Sequence, residues 1–478
     1  MRPCFHYAPA ANWLSDPNGL VHHDGRWHLF YQYNPQGEDW GHMAWGHAVS
    51  RDLVTWAEQP VALAEDARHM IYSGCAVVDH EDRAGFGREA LVAVYTGAER
   101  GLDARQHQCL AASRDGGRSW TKFGANPVLC ENMADFRDPN VFWDATRDRW
   151  VMVVARSCEN AAAFYVSDDL KSWREIGRIA DEGAPGALWE CPQLVELPIE
   201  GEAATRWLFK VDALSGAPGS GALGVTGHFD GERFHADRGA DGAPAWQVLD
   251  HGRDFYAAIA WHEPRDDAGR PAWIGWMGNH AYQGRLPAQG WRGAMSVPRR
   301  LALQRQADGT LALVQRFELG IEAGFEPGDD LRLSPIPLPM PVAFRLDVVL
   351  PAEAMALVIE DAAGAALRLE VDDEGARLVR RDPALAWLDA TCALELASGD
   401  RLTLLFDNGS LELLGAGGRV AATLQHRMAG DRITMRAAAP LAVRLAPWTV
   451  DQAVSRRTSV GAMTCAGASS PAIRANSA

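Results

Sequence analysis

Cysteine is scarce in this sequence: eight residues, at positions 4, 75, 109, 130, 158, 191, 392 and 465, with no C-x-x-C pair. Over 478 residues that is too sparse for a disulfide scaffold, so free, mostly buried thiols in a reducing compartment are expected. Positive charge is also lacking. A net charge of −16 and a pI near 5.4 leave no basic stripe for nucleic acid and disfavour anionic membranes and polyanionic substrates. No window approaches the ~18 consecutive apolar residues of a membrane span. The opening Met1-Arg2-Pro3-Cys4-Phe5-His6-Tyr7 shows no basic segment followed by an apolar one, so a soluble cytoplasmic protein is expected. Tyrosine is sparing, 8 residues against 18 Trp, and Trp serves both β-rich cores and the apolar faces of sugar rings.

What is present reads as all-β. From Leu20 to about Leu303, short runs of strand formers alternate with Gly, Asp, Asn and Pro turns; Val21 to Tyr31 is a hairpin around Asp24-Gly25. A Ser-x-Asp turn followed by Trp recurs at Ser50 to Trp56, Ser113 to Trp120 and Ser167 to Trp173, at intervals of 63 and 54 residues. That spacing suits four-stranded propeller blades, with each Trp packed between blades. Residues 321–339, rich in Gly, Asp and Pro, read as a linker. Residues 340–449 read as a β-sandwich, and 450–478, rich in Ala, Ser, Thr and Gly, as a disordered tail.

Three carboxylates sit in rigid, aromatic-flanked settings. The first is Asp16 in Asn12-Trp13-Leu14-Ser15-Asp16-Pro17-Asn18-Gly19, the second Asp138 in Phe136-Arg137-Asp138-Pro139-Asn140, and the third Glu190 in Trp189-Glu190-Cys191-Pro192. Each alone reads as turn chemistry; together they imply one assembled site. Retaining glycoside hydrolysis needs an ionised nucleophile and a protonated acid about 5–5.5 Å apart. Asp16, presented on a rigid turn, suits the nucleophile. Glu190, among Leu188, Trp189, Cys191 and Pro192, suits the acid and base, an apolar setting being expected to keep it protonated. Arg137 beside Asp138 would hold that carboxylate ionised, and the two could fork onto adjacent sugar hydroxyls. His22, His23 and His28 straddle the Asp24-Gly25 turn with poor ligand geometry, so no metal and no organic cofactor are expected.

In this order the three acidic motifs resemble glycoside hydrolase family 32, the β-fructofuranosidases that include invertases, inulinases and levanases. Further matches are Phe30 to Pro35, Trp45 to Ala48, Tyr72 to Ala76, Asp254 to Ala258 and Trp291 to Arg299, so the resemblance covers residues 5 to 303. It implies a five-bladed β-propeller, residues 1–320, followed by the C-terminal β-sandwich, where Asp407-Asn408-Gly409-Ser410-Leu411-Glu412 resembles a late strand motif. It implies Asp16 as nucleophile, Glu190 as acid and base, and Asp138 as stabiliser of the transition state. Gln32, Trp40, Ser73 and Arg137 resemble substrate-binding positions; Ser15 and Asn18 join them from the first motif, and Trp276 or Trp291 would wall the pocket. Two positions depart from the family: Ser15 stands where Asn is usual and Cys75 where Ser is usual, which bears on fine specificity.

The expected activity is exo-acting release of terminal β-D-fructofuranosyl units from sucrose or fructans such as inulin and levan, with a small fructoside as partner. The run Glu38 to His47 looks more like the exo-fructanase branch than the sucrose-6-phosphate branch. Fructosyl transfer on the same site stays open, because the acceptor pocket is built from loops. A non-catalytic sugar-binding propeller is the rival of a different class, although a pure binder has no use for a second, apolar-set carboxyl group. Ser113 to Trp120 also resembles the Asp-box of sialidases, which would need an arginine cluster and a Tyr nucleophile. Oligomeric state is not legible.

Overall fold

The computed structural model describes residues 2–101, 104–180, 182–287, 289–426 and 432–449, and the expected tail at 450–478 lies outside them. Five sheets form first. Their innermost strands are Asn12–His23, His69–Asp79, Phe136–Asp144, Ala187–Pro198 and Tyr256–Ala260. These five contact one another in chain order and the fifth returns to the first, which makes the ring of a five-bladed propeller. Trp291–Arg292 adds a parallel strand alongside Asn12 and Trp13, so late chain closes onto the first blade.

Each gap between consecutive blades holds its own apolar cluster. Blades one and two share Phe30, Trp45, Tyr95 and Leu91; blades five and one share Trp13, Trp261, Trp276 and Ile274. A blade therefore buries both faces, which is why its strands read as continuous apolar runs such as Trp150 to Ala155 rather than as alternation. The recurring Trp residues behave as expected. Trp56 stacks on Trp261 of blade five at 6.3 Å and Trp120 meets Phe30 of blade one edge-on at 5.5 Å. The Asp of each repeat, Asp52, Asp115 and Asp169, accepts backbone N–H bonds from the turn it caps.

The second body is a sandwich of two six-stranded sheets around a core that includes Phe344, Phe406, Leu357 and Met435. It begins earlier than the sequence implied. The stretch 321–339 is not free linker: Leu319–Ala323 is a short helix, while Asp329–Leu333 and Leu338–Met340 are edge strands of the two sheets. Prolines 335, 337 and 339 hid this, and edge strands are where a sheet tolerates proline. Among the described residues no helix is long and apolar enough to cross a membrane, and Cys75, Cys109, Cys130, Cys158, Cys191 and Cys392 are free thiols.

Candidate active site

The three acidic motifs are not turns. Each lies inside an innermost strand, and each of the five innermost strands is irregular where its site residue stands. The register with the neighbouring strand slips between Leu14 and Pro17, Tyr72 and Gly74, Arg137 and Asn140, Glu190 and Gln193, and Tyr256 and Ile259. Extra residues at such bulges kink the strand and re-aim its side chains. Asp138, Cys191 and Ala257 take left-handed backbone angles, φ of 60°, 46° and 52°. Pro17, Pro139 and Pro192 fit because the innermost strand has a neighbour on one side only at these positions, the parallel strand of the first blade pairing with just Asn12 and Trp13, and so needs fewer N–H donors. Turn-forming residues thus serve to bulge strands.

The result is a cavity of about 480 Å³ at the mouth of the ring, into which Ser15, Asp16, Gln32, Trp40, Ser73, Arg137, Asp138 and Glu190 project. Asp16 Oδ2 accepts from Ser73 Oγ at 2.7 Å, while its Oδ1 is buried with no hydrogen-bond partner. Burial pushes this carboxyl up, the charge of His280 and the Ser73 hydrogen bond draw it back, and nearby Glu190 pushes it up again. Glu190 is held from both sides. Arg137 donates to its Oε1 from Nε at 3.1 Å and Nη2 at 2.9 Å, and Tyr256 donates to its Oε2 at 2.6 Å.

Glu190 is therefore not in the apolar setting expected from its neighbours in sequence. Strand alternation sends Trp189 into the core between blades three and four, leaving Glu190 among polar groups. Arg137, likewise, does not hold Asp138 ionised. Its donors go to Glu190, Asp135 and Gln106, and it stands 3.6 Å from Asp138 Oδ2. Burial wins over that guanidinium, and the Asp138 carboxyl is pushed up to about 7. The N–H of Cys191 donates to Asp138 Oδ2 at 3.1 Å, tying the second and third acidic motifs together.

Three expected binding residues do not line the cavity. Asn18 is buried behind it; oriented to satisfy its neighbours, its amide donates to Ser73 Oγ at 3.3 Å and accepts from Gln32 Nε2 at 3.0 Å. It positions the residue that positions Asp16. Trp276 is fully buried and backs His280 at 4.9 Å and Trp13 at 6.0 Å. Trp291 lies in the groove between propeller and sandwich, with the Arg2 guanidinium 5.2 Å from its ring. Trp40, 51% exposed, is the apolar rim. Ser15 lines the cavity and accepts from Trp13 Nε1 at 3.2 Å. Cys75 packs in the core between blades two and three, its thiol pushed up to about 12 by burial.

Sequence reasoning missed Tyr256, His280, Gln106 and Asp135, which surround the acids. Asp254 to Ala258 stood among the family matches, yet nothing local marked Tyr256 as the partner of Glu190 across 66 residues. A larger cavity, about 570 Å³, opens toward the C-terminal ends of the same inner strands, but none of the three acids reaches it. At the first cavity one carboxyl group has a single side-chain hydrogen bond, a second is clamped on both oxygens and a third sits buried beside them, an arrangement suited to two-step displacement at an acetal carbon.

Residues 6–316 match the family described as Glycosyl hydrolases family 32 N-terminal domain. The chain is similar to the levanase of Bacillus subtilis (strain 168), 45% identical over 320 residues, which are 64% of this chain and 46% of that protein. It is also similar to the extracellular exo-inulinase of Aspergillus niger, 38% identical over 348 residues, 66% of this chain and 64% of that one. Both alignments span less than two thirds of the relative's length. Among solved structures, exo-inulinase from Aspergillus awamori superposes with a TM-score of 0.85 at 30% identity, covering 94% of this chain and 98% of that one. The β-fructofuranosidase from Schwanniomyces occidentalis complexed with fructosyl-erythritol gives 0.83 at 27% identity, over 93% and 97%. A family match over residues 6–316, carried by the strands that deliver Asp16, Asp138 and Glu190 to one cavity, places this chain in glycosyl hydrolase family 32.

Proposed function

We propose that the chain is a retaining fructosidase that removes terminal β-D-fructofuranosyl units from sucrose or fructans. The observation that carries this is the meeting of Asp16, Asp138 and Glu190 at one cavity, with Asp16 held by a single side-chain hydrogen bond, from Ser73, and Glu190 engaged on both oxygens. The names of the relatives, levanase and exo-inulinase, support the substrate class.

In this reading the Asp16 carboxylate attacks the anomeric carbon C2 while Glu190 protonates the departing oxygen, giving a fructosyl ester on Asp16. Glu190 then takes a proton from water, which attacks C2 and frees fructose with retained configuration. Arg137 occupies Glu190 Oε1, so the travelling proton belongs on Oε2, where the Tyr256 hydroxyl accepts or donates in step. Asp138 and Arg137 reach the ring hydroxyls, and Trp40 offers an apolar face to the aglycone.

Release of fructose and glucose from sucrose, inulin, levan and sucrose 6-phosphate tests this. Asp16→Ala and Glu190→Ala should each cut turnover by about 10³-fold or more while the fold is retained. Undiminished fructose release from either variant overturns the assignment. Glucose in excess of fructose shows transfer to sugar in place of hydrolysis.

A further inference from the structure

We infer that blade two carries a binding site for one divalent transition-metal ion, zinc being the best match, formed by His69, Glu99 and His107. These residues come from three adjacent strands, His69–Asp79, Ala90–Glu99 and Gln106–Ser113. His69 is the direct cross-strand partner of Glu99, and His107 is the partner of Gly97, two residues before Glu99. With side chains alternating along a strand, Gly97 and Glu99 share a face, and their two partners stand on that face with them. One ligand atom from each of the three lies within 4.8 Å of the others.

Two further observations point to a ligand. The Nε2 atoms of both His69 and His107 are buried with no hydrogen-bond partner, and His107 is only 4% exposed. Two orphaned imidazole nitrogens in one place are costly unless something receives their lone pairs. The centre of the face is also kept clear: a Cβ on Gly97 would stand 3.0 Å from His107 Nε2 and 3.1 Å from Cys109 Sγ.

The surroundings resemble the outer shell of a metal site. Asp66 Oδ1 accepts the backbone N–H of His69 at 3.0 Å and lies 3.6 Å from its Nδ1, while the His69 Nε2 is the buried nitrogen. Lys122 is committed to Asp66 Oδ2 at 2.7 Å. Two imidazoles and a carboxylate form a donor set for Zn²⁺, with Cu²⁺, Ni²⁺ and Co²⁺ as competitors. Bond lengths of about 2.0–2.2 Å put tetrahedral donors roughly 3.4 Å apart, so the side chains close by about an ångström on binding.

The site is separate from the proposed chemistry but adjoins it. Strand His69–Asp79 also carries Ser73, and Gln106, next to His107 and on the opposite face, accepts from Arg137 Nη1 at 3.1 Å. The bound ion would cross-tie the three strands behind both residues, a structural role.

The test uses the full chain, stripped with chelator, then titrated with Zn²⁺ by calorimetry and with Co²⁺ by visible absorption. One ion per chain is expected, with a Co²⁺ spectrum of tetrahedral type and a rise of several degrees in Tm on adding Zn²⁺. Glu99→Gln, which removes the carboxylate from a partly exposed position, should weaken binding at least tenfold, and His69→Gln should do the same. Affinity unchanged in Glu99→Gln, absence of saturable binding in the parent chain, or a thiolate band that persists in both variants would each overturn the site.

Discussion

Asp16 and Glu190 are held in opposite ways: Asp16 by one side-chain hydrogen bond, from Ser73, and Glu190 by Arg137 on one oxygen and Tyr256 on the other. Leaving Asp16 Oδ1 buried and unpartnered costs about 1–3 kcal/mol of folding free energy. His280 contributes by its charge. Because it draws the Asp16 carboxyl down against burial, His280→Asn should push Asp16 further up and move the acid limb of the kcat/KM profile to higher pH. A profile unchanged from the parent's would exclude that role. Asp138 makes the cost of function measurable. Its carboxyl, ordinarily near 3.8, is at about 7 in the fold, so its contribution to stability is complete below about pH 4 and disappears as the pH rises through 7. Asp138→Asn should therefore unfold at higher temperature than the parent at pH 7, by about 2 kcal/mol of stability, and at similar temperature near pH 4. The same variant should lose at least about 10²-fold in kcat.

At the scale of the strand, the bulge is the device that builds the site. Five inner strands of a propeller run side by side, and a regular strand would point alternate residues into the inter-blade cores. Slipping the register at Ser15–Asp16, Ser73, Asp138–Pro139, Cys191–Pro192 and Ala257–Ala258 turns chosen side chains to the ring's mouth. The first strand has a second irregularity, between Asn18 and Val21, where Gly19 has a φ of 53°. A Cβ there would lie 2.7 Å from Phe30 and 2.8 Å from Trp45. Gly19→Ala should cost about 2–4 kcal/mol and lower kcat as well, since Asn18 beside it supports Ser73 and Asp16. Thermal melts together with kinetics check this; a melt equal to that of the parent would show that the strand relaxes without strain.

For the whole molecule, the join between propeller and sandwich is a buried ionic network. The hairpin Asp407 to Glu412 of the sandwich grips the segment leading into the first blade. Asp407 accepts from the N–H groups of Cys4, Phe5 and His6 at 2.7, 2.9 and 3.0 Å. His6 bridges Asp407 and Glu412, both at 2.8 Å, and Glu412 and Asp250 both engage the fully buried Arg299. Burial alone would lower the His6 pKa, but the hydrogen bonds to the two carboxylates raise it to about 9, above its ordinary 6.5. Its stabilising contribution is thus complete below about pH 6.5 and disappears as the pH rises through 9. His6→Gln should cost on the order of 3 kcal/mol at pH 6 and show a flatter dependence of Tm between pH 6.5 and 9. A parallel pH dependence in the two proteins would remove His6 as the titrating group.

The sequence by itself determined the all-β class, a propeller-like first region and a sandwich after it, because strand formers, turn residues and a recurring Ser-x-Asp and Trp pattern are local signals; the count of five blades came with the family resemblance. The sequence also determined the three acids, because each is embedded in a rigid run of Trp, Pro and Asn that reads without reference to the rest of the chain. The shape of those runs was misjudged for the same reason: Pro17, Pro139 and Pro192 mean a turn in isolation and a bulged edge strand in a propeller. Whether Glu190 sits among apolar or charged groups, whether Arg137 serves Asp138 or Glu190, and that Asn18, Trp276 and Trp291 stand off the cavity were decided only by tertiary structure. So were the hydrogen bond of Tyr256 to Glu190, 66 positions apart, and the edge-on contact of the His69 and His107 rings at 4.8 Å. Burial, bulging and blade-to-blade contact set which atoms meet, and these depend on chain segments far apart in sequence.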